Sequence, residues 1–347
     1  MNPYVLTTLI LSLGLGTTLT FASSHWLLAW MGLEINTMAI IPLMAQQHHP
    51  RATEATTKYF LTQATAAAMI LFASTMNAWT MGDWNINQIS HPLATTTVTL
   101  ALALKIGLAP MHFWLPEVLQ GLSLTTGLVL STWQKLAPFA LILQISQNTN
   151  PALLTTLGVM SALVGGWGGL NQTQLRKLLA YSSIAHLGWM IIILQFMPAL
   201  TLLNLTIYIT MTSTMFLSLK IMASTKINSL ALAWPKTPTL TTLIMLSLLS
   251  LGGLPPLTGF MPKWLILQEL AKQDLPITAT IMAMSALLSL FFYLRLCYTT
   301  TLTTFPNTNN TTSPWRLKST QITLPLTITI ILTLMLLPVT PAITTMF

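Results

Sequence analysis

The sequence predicts an all-α, polytopic membrane protein with about 11 transmembrane helices. Hydrophobic residues make up 53% of the 347 residues and charged residues only 6%, and the mean hydropathy is +0.70. These values lie outside the range of ordinary soluble domains. The apolar runs are also long and continuous, whereas the strands of a transmembrane barrel alternate in polarity over about ten residues.

Polar, proline and glycine residues divide the chain into segments close to the roughly 20 residues that cross a bilayer as a helix. We expect the spans near residues 3–22, 25–45, 57–79, 94–120, 123–146, 152–170, 175–195, 199–222, 239–270, 276–298 and 321–343. Basic residues support this division, because most of them fall in or beside the connections that follow even-numbered spans. These residues are Arg51, Lys58, Arg176, Lys177, Lys226, Lys236, Arg316 and Lys318. By the positive-inside rule, the even connections and the N-terminus face the side where insertion begins, and the C-terminus lies opposite.

Charge and cysteine content exclude several classes of function. The net charge of +8 does not indicate nucleic-acid binding, because the basic residues form no patch, arm or stripe. The single cysteine, Cys297, cannot form a disulfide framework or an iron–sulfur site on this chain. Zinc-protease, dithiol, P-loop and dinucleotide-binding motifs are absent from the sequence. We therefore expect no redox cofactor and no metal on this chain.

The chain contains an internal repeat. Residues 107–117 (GLAPMHFWLPE) align without a gap with residues 253–263 (GLPPLTGFMPK), so that glycine, leucine, two prolines and an aromatic residue recur at the same spacing. The copies lie in predicted spans four and nine. A duplication of about five helices must insert its second copy upside down, as in many transporters. We therefore predict a first repeat over residues 1–147, an inverted repeat over 148–303, and a connection with a C-terminal helix over 304–347.

Each copy also interrupts its own helix. A proline within a span removes a hydrogen bond and clashes with the preceding turn, at a cost of about 3 kcal/mol. Non-helical backbone at membrane depth is tolerated only where protein or a water-filled cavity surrounds it. Prolines often do no more than kink packed helices, but a matched pair of breaks with lysines nearby favours an ion pathway.

Four ionisable residues lie within apolar runs: Glu34, Lys105, Lys135 and Lys263. A charge at the centre of a bilayer costs about 2.5–3.5 kcal/mol on insertion scales, and residues of this kind are usually functional. Burial disfavours the charged form of a lysine, so a nearby carboxylate that moves can load or unload its proton. The alternative is a buried ion pair that only fixes helix packing. His112 and His186 also lie in apolar spans, where either a proton relay or a packing role fits.

Several segments resemble a known family. Residues 25–34 (HWLLAWMGLE), 50–60, 105–117, 165–177, 180–186 and 252–264 together resemble the antiporter-like membrane subunits of respiratory complex I, in particular the chain 2 family of animal mitochondria. The resemblance covers nearly the whole chain. Animal members of that family lack three N-terminal helices of their bacterial relatives, which agrees with about eleven spans.

The resemblance implies a role for each buried charge. Glu34 pairs with Lys105 on the first broken helix, Lys135 is a central relay, and Lys263 is the terminal lysine on the second broken helix. It also implies a proton-translocating subunit of NADH:ubiquinone reductase, coupled to quinone reduction elsewhere. FMN, iron–sulfur clusters and ubiquinone then belong to other parts of the complex.

The partners implied are other membrane and accessory subunits of complex I and the lipids of the mitochondrial inner membrane, without nucleic acid. The N-terminus would face the matrix and the C-terminus the intermembrane space.

Two alternative functions stay open. One is a stand-alone secondary cation/proton antiporter, which the same inverted repeats could serve, and the other is a purely structural subunit of the membrane arm.

Overall fold

A computed structural model describes residues 2–46, 49–234, 237–301 and 323–344. Within these ranges the regular secondary structure is helical, apart from two isolated backbone bridges. The predicted all-α class is therefore confirmed. Lys236, Arg316, Lys318 and most of the predicted connection after residue 303 lie outside the described residues.

The chain forms two compact units, residues 1–161 and 162–347. In the first unit the helices are α1 (Pro3–Ala22), α2 (Trp26–Met44), α3 (Pro50–Met81), α4 (Pro92–Ile106), α5 (Trp114–Gly121), α6 (Leu124–Ser131), α7 (Trp133–Ile145) and the start of α8 (Pro151–Gly168). In the second they are the end of α8, α9 (Leu175–Ile193), α10 (Pro198–Ile221), α11 (Ile227–Ala231), α12 (Pro238–Gly252), α13 (Phe260–Lys272), α14 (Pro276–Thr301), α15 (Leu324–Met335) and α16 (Thr340–Thr344). The domain boundaries predicted after residues 147 and 303 stay predictions.

Many of these helices are long and apolar enough to cross a membrane. Among the described residues seven helical stretches meet this condition: α1, α2, α3, residues 124–148, α8, α10 and α14. Three shorter helices, α4, α12 and α15, are also apolar. The chain is therefore a multi-pass membrane protein. Helices α4 and α12 are short because each ends at a break in the chain, where the sequence predicted one.

The two breaks have the same local geometry. Gly107 follows α4 and Gly253 follows α12, and both adopt the left-handed backbone conformation, with φ of 88° and 80°. At the first break, the N–H groups of Gly107 and of the next residue both donate to the Ala103 carbonyl; at the second, the equivalent groups donate to the Leu249 carbonyl. Both breaks also contain a cis peptide bond before a proline. Glycine is favoured at such a helix end because it reaches positive φ without a steric cost.

The fifth predicted span contains an interruption that the sequence pattern did not predict. Thr132 separates α6 from α7, with φ −112° and ψ −67°. Its side-chain Oγ1 donates to the Leu128 carbonyl at 2.8 Å. Threonine bonds of this kind compete with regular helical bonds and often bend helices. Pro138, six residues further on within α7, also lacks an N–H for the helical pattern.

A cluster of glycines lets α8 lie directly against its neighbours. A Cβ added at Gly165 would lie 2.5 Å from the Ala185 backbone nitrogen of α9, and one at Gly169 would lie 2.8 Å from the Phe292 ring of α14. Small residues allow helix backbones to approach in this way inside membranes. The cluster therefore serves close helix packing.

We expect Gly165→Ala to destabilise the protein and Gly14→Ala to leave it unchanged or slightly more stable. Overpacking at Gly165 should cost about 1–3 kcal/mol. A Cβ at Gly14 meets no atom within 4 Å, and alanine is the better helix former by about 1 kcal/mol. Thermal unfolding of the purified protein in detergent measures both variants, and equal midpoints would contradict the packing of α8 on α9.

Candidate functional site

The three predicted lysines are buried, with exposed fractions of 6% for Lys105, 3% for Lys135 and 9% for Lys263. Each lies beside an irregularity in a helix. Lys105 occupies the last turn of α4, Lys135 lies in the first turn of α7, and Lys263 lies in the first turns of α13. The three lysine side chains thus lie in the interior, and their role in a proton pathway stays a prediction.

At the first break, neutral side chains bond the carbonyl groups that the end of α4 leaves free. Trp114 Nε1 donates to the Leu104 carbonyl at 3.0 Å, and Gln63 Nε2 lies 3.5 Å from the Lys105 carbonyl. The ammonium group of Lys105 itself has no hydrogen-bond partner among the described residues. The carbonyl end of a helix favours a positive charge, which helps this lysine to stay inside.

Lys105 and Lys135 line the same small cavity, which has a volume of about 20 Å³. This volume accommodates about one water molecule. Its polar lining also includes Asn36, Thr37, Tyr59, Gln63 and Gln134. Both amide atoms of Asn36 are buried without a hydrogen-bond partner within the described part of the chain. Buried polar atoms of this kind normally bond to protein or to an ordered water.

Glu34 lies on α2 and is half-buried. Its Oε2 accepts a hydrogen bond from Thr37 Oγ1 at 2.9 Å. Glu34 is close enough to Lys105 to interact with it electrostatically. It does not belong to the ion pairs that the described residues form with a nitrogen–oxygen distance of 4.0 Å or less. Those pairs are Lys58–Glu54, Lys58–Glu117 and Lys272–Glu269. Direct pairing of Glu34 with Lys105 therefore stays a prediction. Glu34 instead lines an apolar groove between α1, α2 and α3.

At the second break, the lysine is itself the donor. Lys263 Nζ donates to the Gly252 carbonyl, the last of α12, at 2.8 Å. A charge-assisted bond of this kind satisfies a helix-end carbonyl and stabilises the buried ammonium group. Gly253 makes room for it, since a Cβ there would lie 2.9 Å from Lys263 Nζ.

The equivalent position of the first copy has a different environment. Glu117 aligns with Lys263, but its side chain is 52% exposed and lies 2.8 Å from Lys58 Nζ, whose side chain is 43% exposed. Ion pairs between side chains this exposed contribute little to stability. A buried charge at this position is therefore a feature of the second copy.

The two candidate histidines are both buried. His112 Nδ1 lies 3.3 Å from the Pro110 carbonyl oxygen within the first break, and His112 is not among the residues that line the cavity. His186 lies on α9, with its ring centroid 5.8 Å from that of Tyr208. Relay roles for both histidines stay predictions.

The sequence pattern did not single out the polar groups that surround Lys105. Asn36 and Gln63 line the cavity, whereas Ser131 and Thr132 donate to the Leu128 carbonyl of their own helix, at 3.0 and 2.8 Å, and do not line it. Asn36 and Gln63 are both uncharged polar residues within apolar runs, and that signal could have found them.

Within the ranges that the structure describes, no group of three or more histidine, cysteine or acidic side chains could hold a metal.

Comparison with known proteins extends over the whole chain. A model of the family "NADH:quinone oxidoreductase/Mrp antiporter, TM" matches residues 23–289, and one for "NADH dehydrogenase subunit 2 C-terminus" matches residues 290–344. NADH-ubiquinone oxidoreductase chain 2 of Oncorhynchus mykiss is 74% identical over 346 residues, which cover 100% of this chain and 99% of the relative. The Salmo salar protein of the same name shows the same identity and coverage.

A chain of respiratory complex I from Thermus thermophilus, solved with bound aureothin, has a similar structure. Its TM-score is 0.86 at 27% sequence identity, over 99% of this chain and 80% of that chain.

We expect Gly253→Ala to displace Lys263 from the Gly252 carbonyl, because the new Cβ would meet the lysine side chain. A positive φ also costs a non-glycine residue roughly 1–2 kcal/mol. Gly252→Ala is the matched control, since its Cβ would meet the nearest side-chain atom at an ordinary 3.6 Å. A structure of each variant measures the distance from Nζ to the carbonyl oxygen. An unchanged distance in Gly253→Ala would show that this glycine is not required for the contact.

Proposed function

This chain belongs to the NADH-ubiquinone oxidoreductase chain 2 family, and on that basis we propose that it moves protons by charging and discharging a small set of buried side chains. Members of the family are antiporter-like, proton-translocating membrane subunits of NADH-ubiquinone oxidoreductase. The proposed proton-bearing residues are Glu34, Lys105, Lys135 and Lys263. His112 and His186 are proposed as additional proton relays.

The observation that carries this proposal is the cavity shared by Lys105 and Lys135. Proton transfer between two groups requires hydrogen-bond contact, either directly or through one water. A cavity of about 20 Å³ has room for about one water molecule. The unpartnered ammonium of Lys105 and the unpartnered amide of Asn36 are suitable neighbours for such a water. We therefore propose a transfer step between Lys105 and Lys135.

Glu34 would control this step by changing its partner. In the present arrangement the carboxylate accepts a hydrogen bond from Thr37, and Lys105 lies close enough to interact with it electrostatically. We propose that Glu34 also turns towards Lys105. A carboxylate in direct contact favours the charged form of the lysine, and its departure favours proton release.

Lys263 is proposed as the terminal proton-bearing group, in the second unit. Its bond to the Gly252 carbonyl is a holding position for the charged form. A neutral amine would lose the charge-assisted part of that bond, so deprotonation would release the side chain.

We further propose the finer layout that the sequence predicted. The seven long apolar stretches, α9, α15 and the two broken helices α4–α5 and α12–α13 would give eleven crossings. The matched breaks support two inverted five-helix repeats. The chain is a multi-pass protein of the mitochondrial inner membrane. The basic residues favour an N-terminus in the matrix and a C-terminus in the intermembrane space.

Other subunits of complex I are the implied partners. We place FMN, the iron–sulfur clusters and ubiquinone on those subunits, because iron–sulfur clusters need several thiolates and this chain has only Cys297. Lipids of the inner membrane complete the proposed environment, and we propose no contact with nucleic acid.

We expect Lys105→Met and Lys135→Met each to reduce proton-coupled turnover of the assembled complex by at least about tenfold, since removal of a proton-transfer group typically costs about 10²–10⁴. The control is Lys272→Met, because that side chain is 61% exposed and lies outside the proposed pathway. Proton uptake into vesicles during NADH oxidation measures all three variants. Wild-type pumping in Lys135→Met would remove the central relay from the scheme.

Two alternative functions predict different results. A stand-alone antiporter should exchange cations for protons in vesicles without any redox partner, whereas we expect no exchange from this chain alone. A purely structural subunit predicts that Glu34→Gln changes the amount of assembled complex but not its turnover per complex. We expect the reverse, with normal assembly and lower turnover.

A further inference from the structure

The second unit contains a buried polar cluster in which only His186 belongs to the proposed pathway so far. Its members come from three helices, α9, α10 and α14, and their side chains are buried. They are Ser182, Ser183, His186, Tyr208 and Tyr293.

The members of the cluster contact one another in sequence. The ring of His186 packs against Tyr208 at a centroid distance of 5.8 Å. The hydroxyls of Tyr208 and Ser183 are hydrogen-bonded, and Tyr208 and Tyr293 are close enough to interact electrostatically. The Tyr293 hydroxyl in turn lies beside Ser182. These contacts lead from α9 through α10 to α14.

The serines are arranged as acceptors for the tyrosines. Ser182 Oγ donates its own proton to the Leu179 carbonyl at 2.8 Å, and Ser183 Oγ donates to the Ala180 carbonyl at 2.7 Å. Each serine oxygen therefore keeps lone pairs for a neighbouring hydroxyl.

Tyr293 also lies next to the residue that holds Lys263. A Cβ added at Gly252 would lie 3.7 Å from Tyr293 Cδ2. The ring of Tyr293 therefore packs against the residue whose carbonyl accepts the bond from Lys263 Nζ. The cluster thus extends from His186 at one end to the surroundings of Lys263 at the other.

The hydroxyl of Tyr293 has no packing explanation. It is buried and completes no hydrogen bond of suitable geometry with the described residues. An unsatisfied buried hydroxyl is unfavourable, and its replacement by an apolar group of the same shape is often neutral or stabilising. Phenylalanine would fill the same space at no such cost, so the hydroxyl needs another reason to be there.

We propose that the hydroxyls of Tyr208 and Tyr293, positioned by Ser183 and Ser182, relay protons between His186 and Lys263. The inference rests on the proposed proton function of Lys263. Each tyrosine oxygen takes up one proton and releases its own on the opposite side, so no net charge remains on a tyrosine, while the serine protons stay bonded to the Leu179 and Ala180 carbonyls. The flexible stem of Lys263 lets its ammonium group leave the Gly252 carbonyl and reach the Tyr293 hydroxyl.

The test is Tyr293→Phe in the intact complex, with Tyr298→Phe on the same helix as the matched control because Tyr298 is 55% exposed. We expect proton-coupled turnover of Tyr293→Phe to fall at least about tenfold, with normal assembly and an unchanged or higher unfolding temperature. The ratio of turnover rates in H₂O and D₂O should rise, because proton transfer becomes rate-limiting. A packing role would leave that ratio unchanged.

A parallel Lys263→Met variant separates this inference from the proposed function. Loss of turnover in Lys263→Met with wild-type turnover and isotope ratio in Tyr293→Phe overturns the relay and leaves the function of Lys263 intact. Wild-type behaviour of both variants overturns both proposals. Tyr208→Phe is a second variant of the relay, and we expect it to show the same rise in isotope ratio. An unchanged ratio there overturns the part of the relay that reaches His186.

Discussion

Helices that end inside a membrane protein leave carbonyl groups that must find donors away from water, and this requirement explains the surroundings of the buried lysines. The two units meet it differently. At the first break, Trp114 and Gln63 lie against the free carbonyls, and the ammonium of Lys105 is left without a partner among the described residues. At the second break, Lys263 is itself the donor. One lysine is therefore available to other groups, whereas the other is held.

Polar groups that are costly to bury gather beside these breaks. Asn36 and Lys105 lie together at the cavity of the first unit, and Tyr293 lies against Gly252 in the second. In a low-dielectric interior a partly satisfied polar group is expensive, and a satisfied chain of hydrogen bonds is correspondingly strong. Departures from good packing and hydrogen bonding are expected mainly at functional sites. The unpartnered atoms of Asn36, Lys105 and Tyr293 agree with a role in moving charge, and other buried atoms of this kind, such as Asn77 Oδ1 and Ser224 Oγ, lie elsewhere in the described residues.

The sequence predicted the features that depend on local chemistry. The positions of Lys105 and Lys263 beside helix breaks follow from prolines and glycines within apolar runs, and the structure has both breaks where the repeat placed them. Features that depend on neighbours from distant parts of the chain were not predictable. The approach of Asn36 to Lys135 joins different helices, and the packing of Tyr293 on Gly252 joins α14 to α12. The partner of Glu34 is also a matter of side-chain orientation, which no sequence pattern determines.

The alignment of Glu117 with Lys263 joins two positions that have different surroundings in segments of similar sequence and backbone geometry. The same backbone position carries an exposed carboxylate in one copy and a buried ammonium in the other. Replacing residues 253–263 with the first copy would place a carboxylate beside the carbonyl that ends α12, where two acceptors would repel each other. Replacing residues 107–117 with the second copy would bring a lysine towards Lys58. The two segments are therefore not interchangeable, although their breaks have the same geometry.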